Sequence, residues 1–140
     1  MKTSVAQVAI VDDDPSVGRA VGRLVRSLGM RSETFTSGEA FFRAVAASWK
    51  PHCVVLDVQM PRMNGLEVQR QMVEQELLLP VIFITAHEDR ASAELAIAAG
   101  AVGFLHKPFA VDSLKELIRR ALENQGRAGM AAMFQHYNQM

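Results

Sequence analysis

The sequence predicts an α/β three-layer sandwich: a parallel sheet with helices on both faces. Three observations carry that prediction. Short apolar runs alternate with stretches of helical periodicity five times along the chain. Right-handed crossovers turn that pattern into a parallel sheet. Four of the runs end at, or just before, a reactive polar group: Val8–Val11 in Asp12 and Asp13, Cys53–Leu56 in Asp57, Val81–Ile84 in Thr85, and Val102–Leu105 just before Lys107. The chain has 140 residues, 49% of them hydrophobic, which is enough for one domain with its own core.

Each element has a local reason. Val8–Val11 is the first strand. Asp14 before Pro15 has the signature of an N-cap with proline at the first helical position. Val17, Val21, Leu24, Val25 and Leu28 then recur at helical spacing, and Gly29 closes the helix. Met30–Phe35 is more polar, as an edge strand with a solvated side can be. Thr36 and Glu39 have capping-box spacing, which starts a second helix running to about Ser48. Trp49 ends it, as a packing residue at the rim of the core. Pro51 punctuates before the Cys53 strand, whose unbroken apolar run predicts burial on both faces. Met60–Gly65 is a turn by composition. Leu66–Glu76 is the third helix, Val81–Ile84 the fourth strand, and Asp89–Ala99 an alanine-rich fourth helix ended by Gly100. Val102–Leu105 is the fifth strand. Asp112 or Ser113 caps a fifth helix with Leu114, Leu117, Ile118, Ala121 and Leu122 on its apolar face.

Composition excludes several classes. Lys plus Arg number 15 and Asp plus Glu 15, so the chain lacks the basic excess of a nucleic-acid surface. One cysteine, Cys53, sits in an apolar run and reads as a reduced core residue. MKTSVAQ has no apolar stretch of a secretion signal, and no apolar run reaches a membrane span. A soluble cytoplasmic location is expected, with no membrane contact. His52, His87, His106 and His136 show no paired spacing for a metal. Residues 1–124 are expected to form the domain. Residues 125–140 form a tail or linker in which Met130, Met133, Phe134 and Tyr137 recur at the spacing of a short helix.

The strands' carboxyl ends form the ligand crevice of an open parallel sheet. Asp12, Asp13 and Asp57 therefore converge, and carboxylates that converge must be protonated, hydrated or neutralised by a cation. An all-oxygen set favours Mg²⁺ or Mn²⁺ over zinc. Mg²⁺ keeps places for water and phosphate oxygens, so the site expects a phosphoryl group. A Lys107 ammonium and a Thr85 hydroxyl suit the same group. Asp57 is then a candidate nucleophile, forming an acyl phosphate without a general base.

The blocks Val11–Asp13, Leu56–Asp57, Met60–Pro61, Asn64–Gly65, Thr85–Ala86, Gly100–Ala101 and Lys107–Phe109 stand in the order found in the receiver domain of two-component response regulators. From about residue 7 to 124 the chain resembles that family, with the chemotaxis-regulator fold, and is most similar to its FixJ-like group. The resemblance implies the flavodoxin-like strand order 2-1-3-4-5 with five helices. It implies that Asp57 accepts a phosphoryl group from a sensor histidine kinase. Asp13 and Asp57 would bind Mg²⁺ (or Mn²⁺) directly with the backbone carbonyl of Gln59, and Asp12 mainly through water. Thr85 and Lys107 would contact phosphoryl oxygens, and small Ala86 would leave room for them. The Lys107–Pro108 bond would be cis. Thr85 and Phe104 would form the switch, shifting a surface of the fourth helix, fifth strand and fifth helix, and the fourth helix and fifth strand could support a homodimer. Gln59 and His87, two residues beyond Asp57 and Thr85, would tune the access of water. The domain would act as a signalling phosphoacceptor rather than an enzyme on other substrates.

Three other readings compete. The chain could be the receiver half of a DNA-binding regulator, but the tail is too short for a helix-turn-helix, so DNA contact would lie outside it. A haloacid-dehalogenase-type phosphatase would want an acid two residues after the nucleophile, where Gln59 stands. A flavodoxin-like flavin binder would want a Ser/Thr/Gly phosphate loop after the first strand, where Asp12–Asp14 would repel the phosphate.

Overall fold

The computed structural model describes residues 5–86 and 90–123. Its elements are β1 (Gln7–Val11), α1 (Pro15–Ser27), β2 (Arg31–Phe35), α2 (Gly38–Ala46), β3 (Cys53–Asp57), α3 (Gly65–Glu74), β4 (Val81–Thr85), α4 (Arg90–Ala98), β5 (Gly103–His106) and α5 (Val111–Glu123). The five strands are all parallel, in the order β2-β1-β3-β4-β5. This is the architecture expected from the sequence.

Side chains alternate across each strand, and the sheet sorts them into two cores. Ala9, Val11, Val54, Leu56, Val81 and Phe83 face one way and pack with Phe41 of α2, Val68 and Met72 of α3 and Ala96 of α4. Val8, Ile10, Cys53, Val55, Ile82 and Ile84 face the other way, against Val21 and Val25 of α1 and Leu114, Ile118 and Ala121 of α5. β3 and β4 are buried along their whole length, as covering on both faces requires. β2 is the polar edge strand, with only Phe35 buried. Burial pushes the Cys53 thiol up to about 12, which leaves it inert at neutral pH. No described helix is long and apolar enough to cross a membrane.

Helix ends follow capping chemistry, with shifts from the sequence expectation. Asp14 accepts from the Ser16 N–H and Pro15 opens α1, as expected. Gly29 turns left-handed at φ 82° beyond its end. α2 begins one residue later than the capping-box spacing suggested: Ser37, not Thr36, is the cap, and its hydroxyl accepts from Ala40 N–H at 3.1 Å. It also stops at Ala46, because Ser48 is left-handed at φ 76°. α3 starts at Gly65 under an Asn64 cap and ends at Glu74, short of Glu76, which is left-handed at φ 57°. α5 starts at Val111, so Asp112 and Ser113 lie inside its first turn rather than capping it. The fourth helix's expected start at Asp89 and the 125–140 tail lie outside the described residues.

Candidate functional site

β1 and β3 are neighbours in the sheet, with Val11 opposite Leu56. That register brings Asp12, one residue past β1, beside Asp57, the last residue of β3. Asp12, Asp13 and Asp57 each offer a carboxylate oxygen within 4.8 Å of the others. Asp12 and Asp57 are buried at 0% and 3% exposure, whereas Asp13 is exposed at the rim. The chain that leaves β1 is pinned by the Asp12 N–H donating to the Phe35 carbonyl at 3.0 Å. Asp12 in turn accepts from the Asp14 N–H at 2.9 Å, which sets the entry into α1.

Lys107 enters from the end of β5, the edge strand beyond β4. Its N–H donates to the Thr85 carbonyl at 2.6 Å, tying the end of β5 to the end of β4. The Lys107–Pro108 peptide is cis. The ammonium lies 3.0 Å from Asp12 Oδ2 and 3.9 Å from Asp57 Oδ1. It therefore pairs chiefly with Asp12 and only at the limit with Asp57. The Gln59 N–H donates to Asp57 Oδ1 at 3.2 Å.

These contacts leave Asp57 a poorly stabilised anion. Burial pushes its carboxyl up to about 6, and the Asp12 charge pushes the same way. The Lys107 ammonium and the Gln59 N–H oppose the rise, and Asp13 adds a smaller push upward. Three carboxylates facing one ammonium form a pocket short of positive charge. Hard oxygen donors, burial and negative excess together fit a small divalent cation. Asp13, Gln59 and Ala86, at or just past the ends of β1, β3 and β4, are all exposed.

The other residues singled out in the sequence fall as follows. Thr85 is fully buried at the end of β4, next to the residue that pairs with Asp57. Phe104 is half-buried and stacks on Phe83 with ring centroids 5.9 Å apart, on the α2–α3–α4 side of the sheet. His87 lies outside the described residues. Two contacts had no counterpart in the sequence reading. Gly65 N–H donates to the Val58 carbonyl at 2.9 Å, seating α3 against the end of β3. Gln69 is buried in α3 and donates to the Ala96 carbonyl of α4 at 3.2 Å. The Asn64-Gly65 dipeptide signals a turn and a helix start, but not which carbonyl the turn will meet.

A five-stranded parallel sheet of this order, with an acidic pocket and a lysine at its carboxyl edge, defines a signalling phosphoacceptor domain. Residues 8–119 match the response regulator receiver domain, and the chain belongs to that family. It is 45% identical over 116 residues to the response regulator protein TmoT of Ectopseudomonas mendocina, covering 83% of this chain and 52% of TmoT. A response regulator receiver protein from Burkholderia phymatum superposes with a TM-score of 0.75 at 48% identity, over 84% of this chain and 95% of that one. The FixJ-N crystal structure superposes with a TM-score of 0.78 at 34% identity, over 86% and 96%. The chain thus spans about half the length of the curated relatives it matches.

Proposed function

We propose that Asp57 is the phosphoacceptor and that its donor is the phosphohistidine of a sensor histidine kinase. The placement of Asp57 carries this reading: it ends a buried strand with two carboxylates within 4.8 Å and the Lys107 ammonium 3.9 Å away. In the transfer, an Asp57 oxygen forms the new P–O bond as the P–N bond of the donor breaks, and the freed imidazole takes up a proton. Asp57 needs no base, because above its raised pKa it is already an anion. Lys107 is held near enough to turn from Asp12 toward the incoming oxygens, and Thr85 can donate its hydroxyl to one of them. Asp13 and Asp57, with the Gln59 backbone carbonyl, would hold Mg²⁺ directly, and Asp12 through water. When bound, the ion neutralises phosphoryl oxygens and relieves the repulsion among the carboxylates.

Thr85 moving toward the phosphoryl group would vacate room for Phe104 and shift the α4–β5–α5 surface. That requires the phosphoryl group to favour one of two arrangements. Leu95 and Ile97 of α4 are 63% and 50% exposed, which supports dimerisation through α4 and β5. Gln59, Ala86 and His87 would govern room and water access at the acyl phosphate. Residues 1–124 would make up the receiver, with 125–140 as tail or linker, in the cytoplasm. A second reading is favoured by the covered share of TmoT, 52%: this chain is the receiver half of a longer, DNA-binding regulator.

The test is incubation with acetyl phosphate and Mg²⁺ followed by intact mass measurement. A single phosphoryl adduct is expected on the wild type, and none on Asp57→Ala or in EDTA. No wild-type adduct, or one that survives Asp57→Ala, refutes the assignment.

A further inference from the structure

We infer that Gly65 is a positioning residue for the acidic pocket, and that its lack of a side chain sets where Asp57 and Gln59 sit. The inference rests on the proposed role of Asp57. Gly65 opens α3, under the Asn64 side chain that accepts from Glu67 N–H at 2.9 Å. A Cβ at Gly65 would collide with the Asp57 carbonyl oxygen and stand 3.0 Å from both the Asp57 carbonyl carbon and Val58 Cα. All three are backbone atoms, so no rotamer change can make room. The Gly65 N–H meanwhile donates to the Val58 carbonyl at 2.9 Å, drawing the helix start onto that segment.

The glycine is not there for its backbone freedom. The positive-φ glycines among the described residues are Gly29 and Gly100, and Gly65 is not one of them. Alanine would suit the local helical backbone better than glycine does. Close approach is the reason left, a use glycine has wherever two backbones must touch.

The strain of a Cβ cannot be relieved on the sheet side. β3 is paired to β1 and β4, and the Val58 N–H is held by the Ile84 carbonyl at 3.1 Å. The parts left to give are the helix start and the Gln59–Asn64 loop. That loop includes Gln59, whose N–H holds Asp57 Oδ1 and whose carbonyl is a proposed metal ligand. A side chain at residue 65 therefore displaces pocket groups without touching any carboxylate.

The probe is Mn²⁺ alone, titrated by electron spin resonance into wild type, Gly65→Ala and Gly103→Ala. Gly103 opens β5, away from the pocket, and its Cβ would meet the Leu117 side chain at 2.6 Å, so it reports a packing clash without a pocket effect. Gly65→Ala is expected to weaken Mn²⁺ binding by about ten-fold or more, the range seen when groups that orient metal ligands are changed. Gly103→Ala is expected to bind as wild type does. The rate of phosphoryl uptake from acetyl phosphate at saturating Mn²⁺ should fall in Gly65→Ala only. Wild-type affinity in Gly65→Ala, or equal weakening in both variants, overturns the inference. If Gly65→Ala is unfolded in buffer, the titrations are repeated in trimethylamine oxide, which favours the folded state. Failure to fold even there assigns Gly65 to the fold at large and also overturns it. A wild type that binds Mn²⁺ but takes up no phosphoryl group would instead sink the Asp57 assignment and leave the positioning result standing.

Discussion

Asp57 holds a carboxylate where water has largely been removed and a second carboxylate faces it. The sign of the consequence for stability follows from its pKa, raised from 3.8 to about 6. Between those values the folded chain keeps the proton that the unfolded chain has released. Stability contributed by this group is therefore full below the window and lost as pH rises through about 6. The shift corresponds to roughly 3 kcal/mol at most. Asp57→Asn, which cannot ionise, should therefore be more stable than wild type above pH 6 in EDTA, by about 1–3 kcal/mol. The gap should close as pH falls toward 4. Thermal melts of the two proteins from pH 4 to 8 would show it. A gap that is absent at pH 8, or constant across the range, would mean that Asp57 is not held against its own ionisation. Lys107 behaves differently, and the sequence could not have said so. The sequence leads one to expect its ammonium at phosphoryl oxygens, yet its Nζ lies 3.0 Å from an oxygen of Asp12, which is wholly buried. A pairing across 95 residues of chain is visible only once the strands are in register.

At the level of elements, strands were legible and helix ends less so. β1 from Val8, β3 and β4 are covered on both faces, so their sequences are apolar runs, and the change to a polar residue (Asp12, Asp57, Thr85) marks the strand end. Helix starts depend on which of several competent residues the tertiary structure selects. Thr36 and Ser37 can both cap, and the Thr36–Glu39 spacing favours the first. The structure has the second as cap, and Gly38 after it sits so close to α3 and the loop before it that a Cβ there would meet Val68 Cγ2 at 2.7 Å and Met63 Sδ at 2.8 Å. Local spacing carries no record of that contact. Ser37→Ala should cost about 1 kcal/mol, the usual loss for a cap. Thr36→Ala, an exposed change, should stay within about 0.5 kcal/mol of wild type. Urea unfolding of both variants decides the matter, and the opposite ranking would return the cap to Thr36. Gln69 was hidden for a similar reason. A polar residue on a helix reads as solvent-facing, but this one is buried and bonds the Ala96 carbonyl, linking α3 to α4.

Across the whole molecule, the two cores fix the sheet and the sheet fixes the pocket. Neither core can adjust to relieve the carboxylates, because the strands that deliver them are buried from Val8 to Val11 in β1 and from Cys53 to Asp57 in β3. The three carboxylates therefore carry an electrostatic conflict at one edge of the sheet, and binding of a cation there should appear as stability of the entire fold. For a ligand at a hundred times its dissociation constant the gain is about 2.7 kcal/mol. For a domain near this size that is on the order of 5–10 °C in melting temperature. The pH dependence should also reverse. In EDTA the Asp57 contribution falls as pH rises toward 6. With excess Mg²⁺ the ionised carboxylates are the binding form, so stability should rise over the same interval. Melts at pH 5 and pH 8, each in EDTA and in Mg²⁺, should therefore cross for the wild type. For Asp57→Asn the Mg²⁺ gain at pH 8 should be much smaller, because one of the three carboxylates proposed to hold the ion is gone. A melting temperature indifferent to Mg²⁺ at pH 8, or an equal gain in both proteins, would show that the three carboxylates do not act together as a metal site.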